Sequence, residues 1–356
     1  MTVFAAAVAV ISTAGTASAH TVSGGAGASD YRTSVTSFTP TVAGLTLTVV
    51  ENGSRLQLTN ATRTDVIVLG YQGEPYLRVG PDGVFTNERS TATYLNETRS
   101  GGAAVPATAD DQAPPVWRRT AAAPRAGMAA TVVWHDHRTH WMSPDRPPIV
   151  AANPGAHHRI FTWQVSFRYG AQAVTARGDL DWVPGPAPTP WVALALGAAA
   201  LTIALAVGRR TFRPSLAAVL LVLVAADVAH SVGIAADRAG SSSARWHGFL
   251  TGNSLQLVAW TAGVLAVIAL ARRRINALWV AGMVGAVLAL ADGLPDAGVL
   301  YRSSAPFAWP LSVARALTAI TVGLGFGLLA AVALALRRHD RPERHPEPVA
   351  SVPVAP

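Results

Sequence analysis

Cysteine is absent from this 356-residue chain, and charged residues make up only 13% of it. Without cysteine the chain forms no disulfide bond, and a soft metal would have to be bound by histidine, methionine or carboxylate side chains. The sequence also lacks a phosphate loop, a Ser-His-Asp signature and a paired-carboxylate motif, so hydrolase functions have little support. No aromatic-interleaved basic patch accompanies the net charge of +8, which therefore does not indicate a nucleic-acid-binding protein.

What the chain has in excess is apolar sequence, because half of its residues are hydrophobic. This excess is confined to residues 191–336, whereas residues 20–183 are polar and rich in Thr and Gly. Residues 184–190 form a Pro-rich linker between the two regions, and residues 337–356 form a basic, Pro-rich tail. We therefore expect one exported domain and one domain embedded in the lipid bilayer.

Five segments of the apolar region are long enough to cross a bilayer core, which takes about 20 residues each. They are Trp191 to Gly208, Ser215 to Ala235, Ser254 to Ala271, Ile275 to Ala291 and Phe307 to Leu336. Arginine clusters follow the first, third and fifth segments, and the two other loops are poorer in arginine. Because basic residues stay on the cytoplasmic side, this alternation predicts an extracytoplasmic N-terminal domain and a cytoplasmic C-terminus in the cell membrane.

The first 19 residues have the layout of a secretory signal peptide, with an apolar stretch and a final Ala17-Ser18-Ala19. Cleavage after Ala19 would make His20 the first residue of the mature chain. An N-terminal histidine offers a main-chain amine and an imidazole together, a chelating pair that suits copper. The alternative is an uncleaved signal anchor, in which His20 is an ordinary extracytoplasmic residue.

The region 20–183 reads as an antiparallel β-sandwich, so the expected fold class is mixed: a β-sandwich followed by an all-α membrane domain of about five helices. Six short segments alternate or are rich in β-branched residues, turn signals separate them, and no helical stretch interrupts them. They are 45–50, 55–59, 65–69, 131–134, 161–167 and 174–180. We expect a loop at Glu74 to Arg78, a loop at His157 and His158, and an irregular insertion from Arg99 to Ala126.

Potential metal ligands are concentrated in the segment Trp134 to Met142. If the strand continues past Trp134, His135 and His137 share one face, and Asp136 and Arg138 share the other as an ion pair. The predicted copper ligands are His20, His135 and His137, with His140, Asp136 and Met142 as secondary candidates. The alternative is that these histidines form a hydrogen-bonded core network without a metal.

Four ionisable residues lie within the predicted spans: Asp227, His230, Asp292 and Arg315. Charged groups in a bilayer are costly, so such residues usually face one another or a wet cavity. We expect a polar pocket beneath the exported domain. It could pass a metal ion, relay protons or dock the sandwich, and an Asp–Arg pairing is the structural alternative.

The sequence resembles two groups of known proteins. The Ala-x-Ala signal followed by His20, the sandwich and the Asp136-His137 neighbourhood resemble CopC-type periplasmic copper-binding proteins, and the spans resemble their CopD-type membrane partners. The first resemblance implies a copper site that joins the N-terminal amine and imidazole to a late Asp and His. The whole-chain layout, with Glu74 to Arg78, Trp134 to Met142 and Gly178 to Pro186, is similar to an actinobacterial group of exported-sandwich membrane proteins and implies architecture without an activity.

Three functional classes follow from the sequence. The first is a membrane-anchored copper-binding or copper-handling protein that exchanges copper with a donor or acceptor protein. The second is an exported histidine-brace copper oxidase, and the third is a structural or interaction protein of the membrane without a metal. The second class is an enzyme; we favour the two classes that are not enzymes and leave the oxidase open.

Overall fold

A computed structural model describes residues 27–101, 104–125, 127–207, 212–240, 242–274 and 276–339, of which the side chains of 338 and 339 are excepted. The predicted signal peptide, His20 and the tail beyond residue 339 lie outside the described residues. The described chain has a β-sandwich between residues 31 and 182 and a helical region from residue 189 onward. This arrangement confirms the expected fold class.

In the part of the chain that the structure describes, ten antiparallel strands form the sandwich. They are β1 (Tyr31–Thr39), β2 (Leu45–Val50), β3 (Arg55–Asn60), β4 (Val66–Leu69), β5 (Pro75–Gly80), β6 (Gly83–Asn87), β7 (Trp117–Ala121), β8 (Ala130–Trp134), β9 (His158–Tyr169) and β10 (Gln172–Trp182). One sheet has seven strands in the order β1-β10-β9-β4-β5-β6-β7, and the other has the order β2-β3-β8.

The two sheets share one core because their strands alternate between buried and exposed side chains. On β2, Leu45 and Leu47 are buried while the threonines between and after them are exposed. Leu47 lies opposite Leu58 of β3, and both contact a cluster that includes Val68 and Phe167 of the larger sheet. This period-two pattern places every second side chain between the sheets.

Several local predictions for the sandwich were wrong. Residues 75–80 form strand β5, although a loop was expected at Glu74 to Arg78, and β7 lies within the expected insertion. His158 begins β9. Two short helices, α1 (Thr91–Leu95) and α2 (Pro148–Ala152), occur where none was expected. Proline is rare within strands but is compatible with the first position of one, which it occupies in β5. Because of this proline, the sequence did not indicate a strand here.

Among the described residues, the helical region has five helices long and apolar enough to cross a membrane, in agreement with the predicted number. Five such helices indicate a multi-pass membrane protein. They are α3 (Thr189–Val207), α4 (Phe212–Asp237), α6 (Ser254–Ala271), α7 (Asn276–Leu288, extended by a π-helical turn, Ala289–Gly293) and α8 (Leu311–His339). An additional short helix, α5 (Ser242–Gly252), lies between α4 and α6, where the sequence suggested a loop.

The sandwich packs against one end of the helices. Ser29 and Ser304 exchange backbone hydrogen bonds of 2.8 and 2.9 Å, and Arg302 forms an ion pair of 2.7 Å with Asp30. The segment that joins α7 to α8 therefore lies on the sandwich side, as do the start of α3 and the α4–α5 connection. The described arginines at the opposite helix ends are Arg213, Arg272, Arg273, Arg274 and Arg337.

Candidate functional site

The predicted ligand cluster follows the end of strand β8. The strand stops at Trp134, and Asp136 caps a single 3-10 turn from His137 to Thr139 by accepting a hydrogen bond of 3.2 Å from the Arg138 backbone N–H. An aspartate that binds the backbone two residues later competes with strand pairing. The expected continuation of the strand, with His135 and His137 on one face, is therefore wrong.

The turn brings His135 and His140 together instead. Nδ1 of His135 lies 2.9 Å from the carbonyl oxygen of Ser54, and Nε2 of His140 lies 3.0 Å from the same oxygen. Both imidazoles are buried. We call His135 and His140 the Ser54 histidine pair.

Both members of the pair are neutral at physiological pH. Burial lowers the pKa of His135 to about 4 and that of His140 to about 3. Arg55 donates a hydrogen bond of 3.1 Å to Nε2 of His135, so the ring proton of His135 resides on Nδ1 and is donated to Ser54. Neutral imidazole is the form that binds metal ions.

Asp136 and Arg138 form the ion pair that was expected. Asp136 is fully buried, and Arg138 donates to its carboxylate from Nε and Nη2, each at 2.8 Å. The Trp134 indole adds a third donor at 3.1 Å, and Arg138 also donates to the carbonyl oxygens of Leu69 and Gly70. With its charge compensated in this way, Asp136 holds the turn in place.

The other predicted ligands lie apart from the pair. Nε2 of His137 bonds to the Thr98 carbonyl at 2.9 Å, and Met142 is exposed. His20 lies outside the described residues. Among the described residues, no group of three or more His, Asp or Glu side chains is arranged to hold a metal ion.

A polar network lies beside the turn. The sequence suggested Glu74 or Tyr76 as groups that support the metal ligands, but it did not single out Tyr71 and Asn96. The Tyr71 hydroxyl donates to Oδ1 of Asn96 and accepts from the His137 backbone N–H at 3.2 Å. Burial, followed by the nearby Asp136 carboxylate, raises the pKa of Tyr71 to about 12, so its phenol stays protonated. Glu74 is buried and accepts a bond of 2.6 Å from Ser90. These groups fix the segments that support the turn, and the dense polar sequence from Tyr71 to Arg78 was their only signal.

A cavity of about 480 Å³ lies between the sandwich and the helices, in the position where a polar pocket was expected. Its charged lining consists of Arg55, Arg238, Arg245 and Arg302 together with Glu51, Asp237 and Asp296. His230 and Phe307 line it from the helices, and Gly27 lines it from the sandwich side. Since Arg55 also contacts His135, the Ser54 histidine pair adjoins this interface cavity.

Three of the four intramembrane residues lie near the cavity or deeper along the same helices. His230 pairs with Asp296 at 3.0 Å. Below it, Asp227 accepts a bond of 2.7 Å from the Trp260 indole, and Asp292 accepts one of 3.2 Å from Gln256. The carboxyl groups of Asp227 and Asp292 interact directly, and both side chains are buried.

Arg315 does not join these acids. Its guanidinium donates to the carbonyl oxygens of Val299 and Arg302, each at 3.0 Å, and forms no ion pair with an acid among the described residues. The alternative of an Asp–Arg pairing is therefore wrong for Arg315, which instead joins α8 to the segment that precedes it.

Comparisons of the chain with protein-family models, with curated proteins and with solved structures give no match.

Proposed function

We propose that this multi-pass membrane protein handles copper on the extracytoplasmic side, with a site made by His20 and the Ser54 histidine pair. The observation that supports this proposal is the convergence of two buried, neutral imidazoles on one carbonyl oxygen beside the interface cavity. Borderline nitrogen donors are the ligands that suit cupric copper. A site at this position could exchange copper with a donor or acceptor protein.

The donor set suits copper after a local rearrangement. The ring nitrogens that face the Ser54 carbonyl, about 3 Å away, carry N–H groups in this structure. To bind one ion through them, the carbonyl would have to move aside and each ring would have to shift its proton to its other nitrogen, which for His135 means release of the bond from Arg55. Burial keeps both rings in the deprotonated form that ligation requires. His137, Asp136 and Met142, which the sequence also suggested, have other contacts or positions and are not ligands in this proposal.

His20 is within reach of the pair. The Gly27 carbonyl accepts a bond of 3.3 Å from the Asn52 side chain, two residues before Ser54. The seven residues from 20 to 27 can span at most about 25 Å. A mature N-terminus at His20 could therefore supply its amine and imidazole to the histidine pair. The resemblance to CopC-type proteins favours the same use of an N-terminal histidine.

A copper titration of the purified full-length chain in detergent tests the proposal. The mature N-terminus is first established by intact mass, and cupric binding is then followed by electron paramagnetic resonance. We expect at least tenfold weaker binding, about 1.4 kcal/mol, when one residue is added before His20 and in each of the variants His135→Gln and His140→Gln. Glutamine retains a donor for the Ser54 carbonyl, and His157→Gln, at an exposed histidine, is the matched control.

Unchanged affinity and an unchanged nitrogen pattern in all three altered proteins would contradict the proposal. That result would favour the alternative of a structural or interaction protein. The hydrogen bonds of His135 support that alternative, because Nδ1 already donates to the Ser54 carbonyl and Nε2 already accepts from Arg55. Tight copper binding together with oxygen consumption in the presence of a reductant would indicate the histidine-brace oxidase instead.

A further inference from the structure

Beyond copper handling, the helices contain a second polar centre that the proposed function does not use. We propose that Asp227 of α4 and Asp292 of the π-helical turn form a proton-binding site inside the membrane, which exchanges its proton through the interface cavity. We call these two residues the aspartate pair.

The geometry of the aspartate pair requires one neutral carboxyl group. Asp227 is 0% and Asp292 1% exposed, and the two carboxyl groups interact directly. Two adjacent carboxylates in a low-dielectric interior cannot both be charged, so one proton must serve the pair. Trp260 and Gln256 each donate a hydrogen bond to one of the acids and stabilise the single remaining negative charge.

A second observation, independent of the two acids, also indicates a ligand. Several buried polar atoms on the surrounding helices have no hydrogen-bond partner among the described residues. Four of them are oxygens outside the two acids: Ser231 Oγ, Asn253 Oδ1, Thr318 Oγ1 and Thr321 Oγ1. Ser231 follows Asp227 by one helical turn, and Asn253 precedes Gln256 by one turn, so each lies on the same helix face as a member or donor of the pair. The Thr321 side chain packs against Gly293, next to Asp292. Buried oxygens of this kind are normally bonded to ordered water, which also conducts protons.

The polar groups lead from the pair toward the sandwich. His230 lies one turn above Asp227 and bonds to Asp296, and both line the interface cavity. Charged groups beyond them are the other cavity-lining residues, namely Arg55, Arg238, Arg245, Arg302, Glu51 and Asp237. Arg315 of α8 bonds to backbone carbonyls. On the other side of the pair, the largest fully buried side chains of the described helices are leucines, namely Leu216, Leu220, Leu223, Leu270, Leu288 and Leu328. We therefore infer a site that takes up and releases a proton from the cavity and not a path across the membrane.

Infrared spectroscopy of the full-length chain in lipid nanodiscs tests for the proton directly. A protonated carboxyl group has a C=O stretching band that is distinct from the carboxylate bands and shifts in D₂O. We expect this band in the wild-type protein at pH 7, and we expect its loss in the double variant Asp227→Asn/Asp292→Asn. The matched control Asp82→Asn, at an exposed turn, should retain the band. Persistence of the band in the double variant, or its absence from the wild type, would overturn the proposal.

Labelling of the wild-type chain keeps the proposal testable if the variants fail to fold. A hydrophobic carbodiimide reacts with protonated carboxyl groups in apolar surroundings, and peptide mass spectrometry locates the adduct. We expect labelling at Asp227 or Asp292 at pH 7, with no effect of sodium chloride compared with choline chloride. If sodium protects the two acids from labelling, the site binds a sodium ion and the proposal of a proton site is wrong. Absence of the label at both residues would also contradict the proposal. Neither experiment involves copper, so failure of the copper proposal leaves the result interpretable.

Discussion

The sandwich and the helical region bury acids in different ways. In the sandwich, Asp136 is compensated by a bidentate guanidinium and an indole. In the helices, Asp227 and Asp292 accept hydrogen bonds from the neutral side chains of Trp260 and Gln256 and interact with each other, while Arg315 bonds to backbone carbonyls. A buried charge that is fully compensated fixes a structure, whereas incompletely compensated acids mark a place where a ligand or proton completes the set. This difference supports our proposal of a proton-binding site at Asp227 and Asp292, and of a structural role for Asp136.

The largest expected effect comes from removing the guanidinium in the sandwich. Arg138→Met leaves Asp136 buried without its partner, which typically costs about 3–5 kcal/mol. Hydrogen exchange of the full-length chain should show much faster exchange in the peptides that contain β8 and the following turn. Arg118→Met, which breaks an exposed ion pair with Glu88, is the control and should cost less than about 1 kcal/mol. Equal effects of the two substitutions would remove the distinction between the regions.

Acid should destabilise the sandwich through the Ser54 histidine pair. Both pKa values are lowered in the folded protein, to about 4 and about 3, so the unfolded chain binds more protons below pH 6.5. The contribution of the two neutral histidines to the free energy of unfolding is fully present above pH 6.5 and is lost as the pH falls through 4. The loss per histidine is on the order of 3 kcal/mol. Denaturant unfolding from pH 7 to pH 4, with a chelator present, measures it.

Comparison with the double variant His135→Gln/His140→Gln isolates this contribution, because carboxyl groups titrate in the same range. We expect a shallower pH dependence in the double variant. Parallel pH profiles would mean that the two imidazoles are accessible to protons in the folded protein.

Contact between membrane helices gives the next smaller effect. A Cβ at Gly325 of α8 would lie 2.5 Å from the Gly285 carbonyl oxygen of α7. Gly325→Ala should therefore separate the two helices and cost about 1–3 kcal/mol, seen as a lower melting temperature in detergent. Gly197→Ala in α3 is the matched control, since a Cβ there would meet nothing within 4 Å. A similar melting temperature for both variants would show that α7 and α8 adjust to an added methyl group.

The sequence predicted the helices and strands that have long or regular hydrophobic patterns. It failed where the contacts of a single side chain determine the local structure. Five apolar runs gave the five spanning helices, and alternation gave the strands around Leu47 and Phe167, because burial of whole faces sets these elements. The predicted arrangement of the histidines was wrong because the Asp136 side chain accepts a hydrogen bond from the backbone two residues later, so that β8 ends before it. The periodicity of the sequence does not reveal such a local hydrogen bond. An Asp–Arg pairing was one alternative for Arg315, because a sequence cannot tell whether a guanidinium contacts a carboxylate or carbonyl oxygens.

The smallest expected effect concerns the junction of the two regions. Asp30 is 6% exposed and accepts bonds from Arg302 Nη1 at 2.7 Å and from the Ser303 backbone N–H at 2.9 Å. Asp30→Asn keeps an acceptor for Ser303 but removes the charge, so the cost should be about 1 kcal/mol, because Arg302 is partly exposed to solvent. Hydrogen exchange should rise in the peptides around residues 29–31 and 302–304 and remain unchanged in β3. The matched control is Asp179→Asn, whose partner Arg159 is exposed. Faster exchange throughout the sandwich would mean that its folding depends on the helices, whereas a change confined to the junction would show that the two regions are stabilised separately.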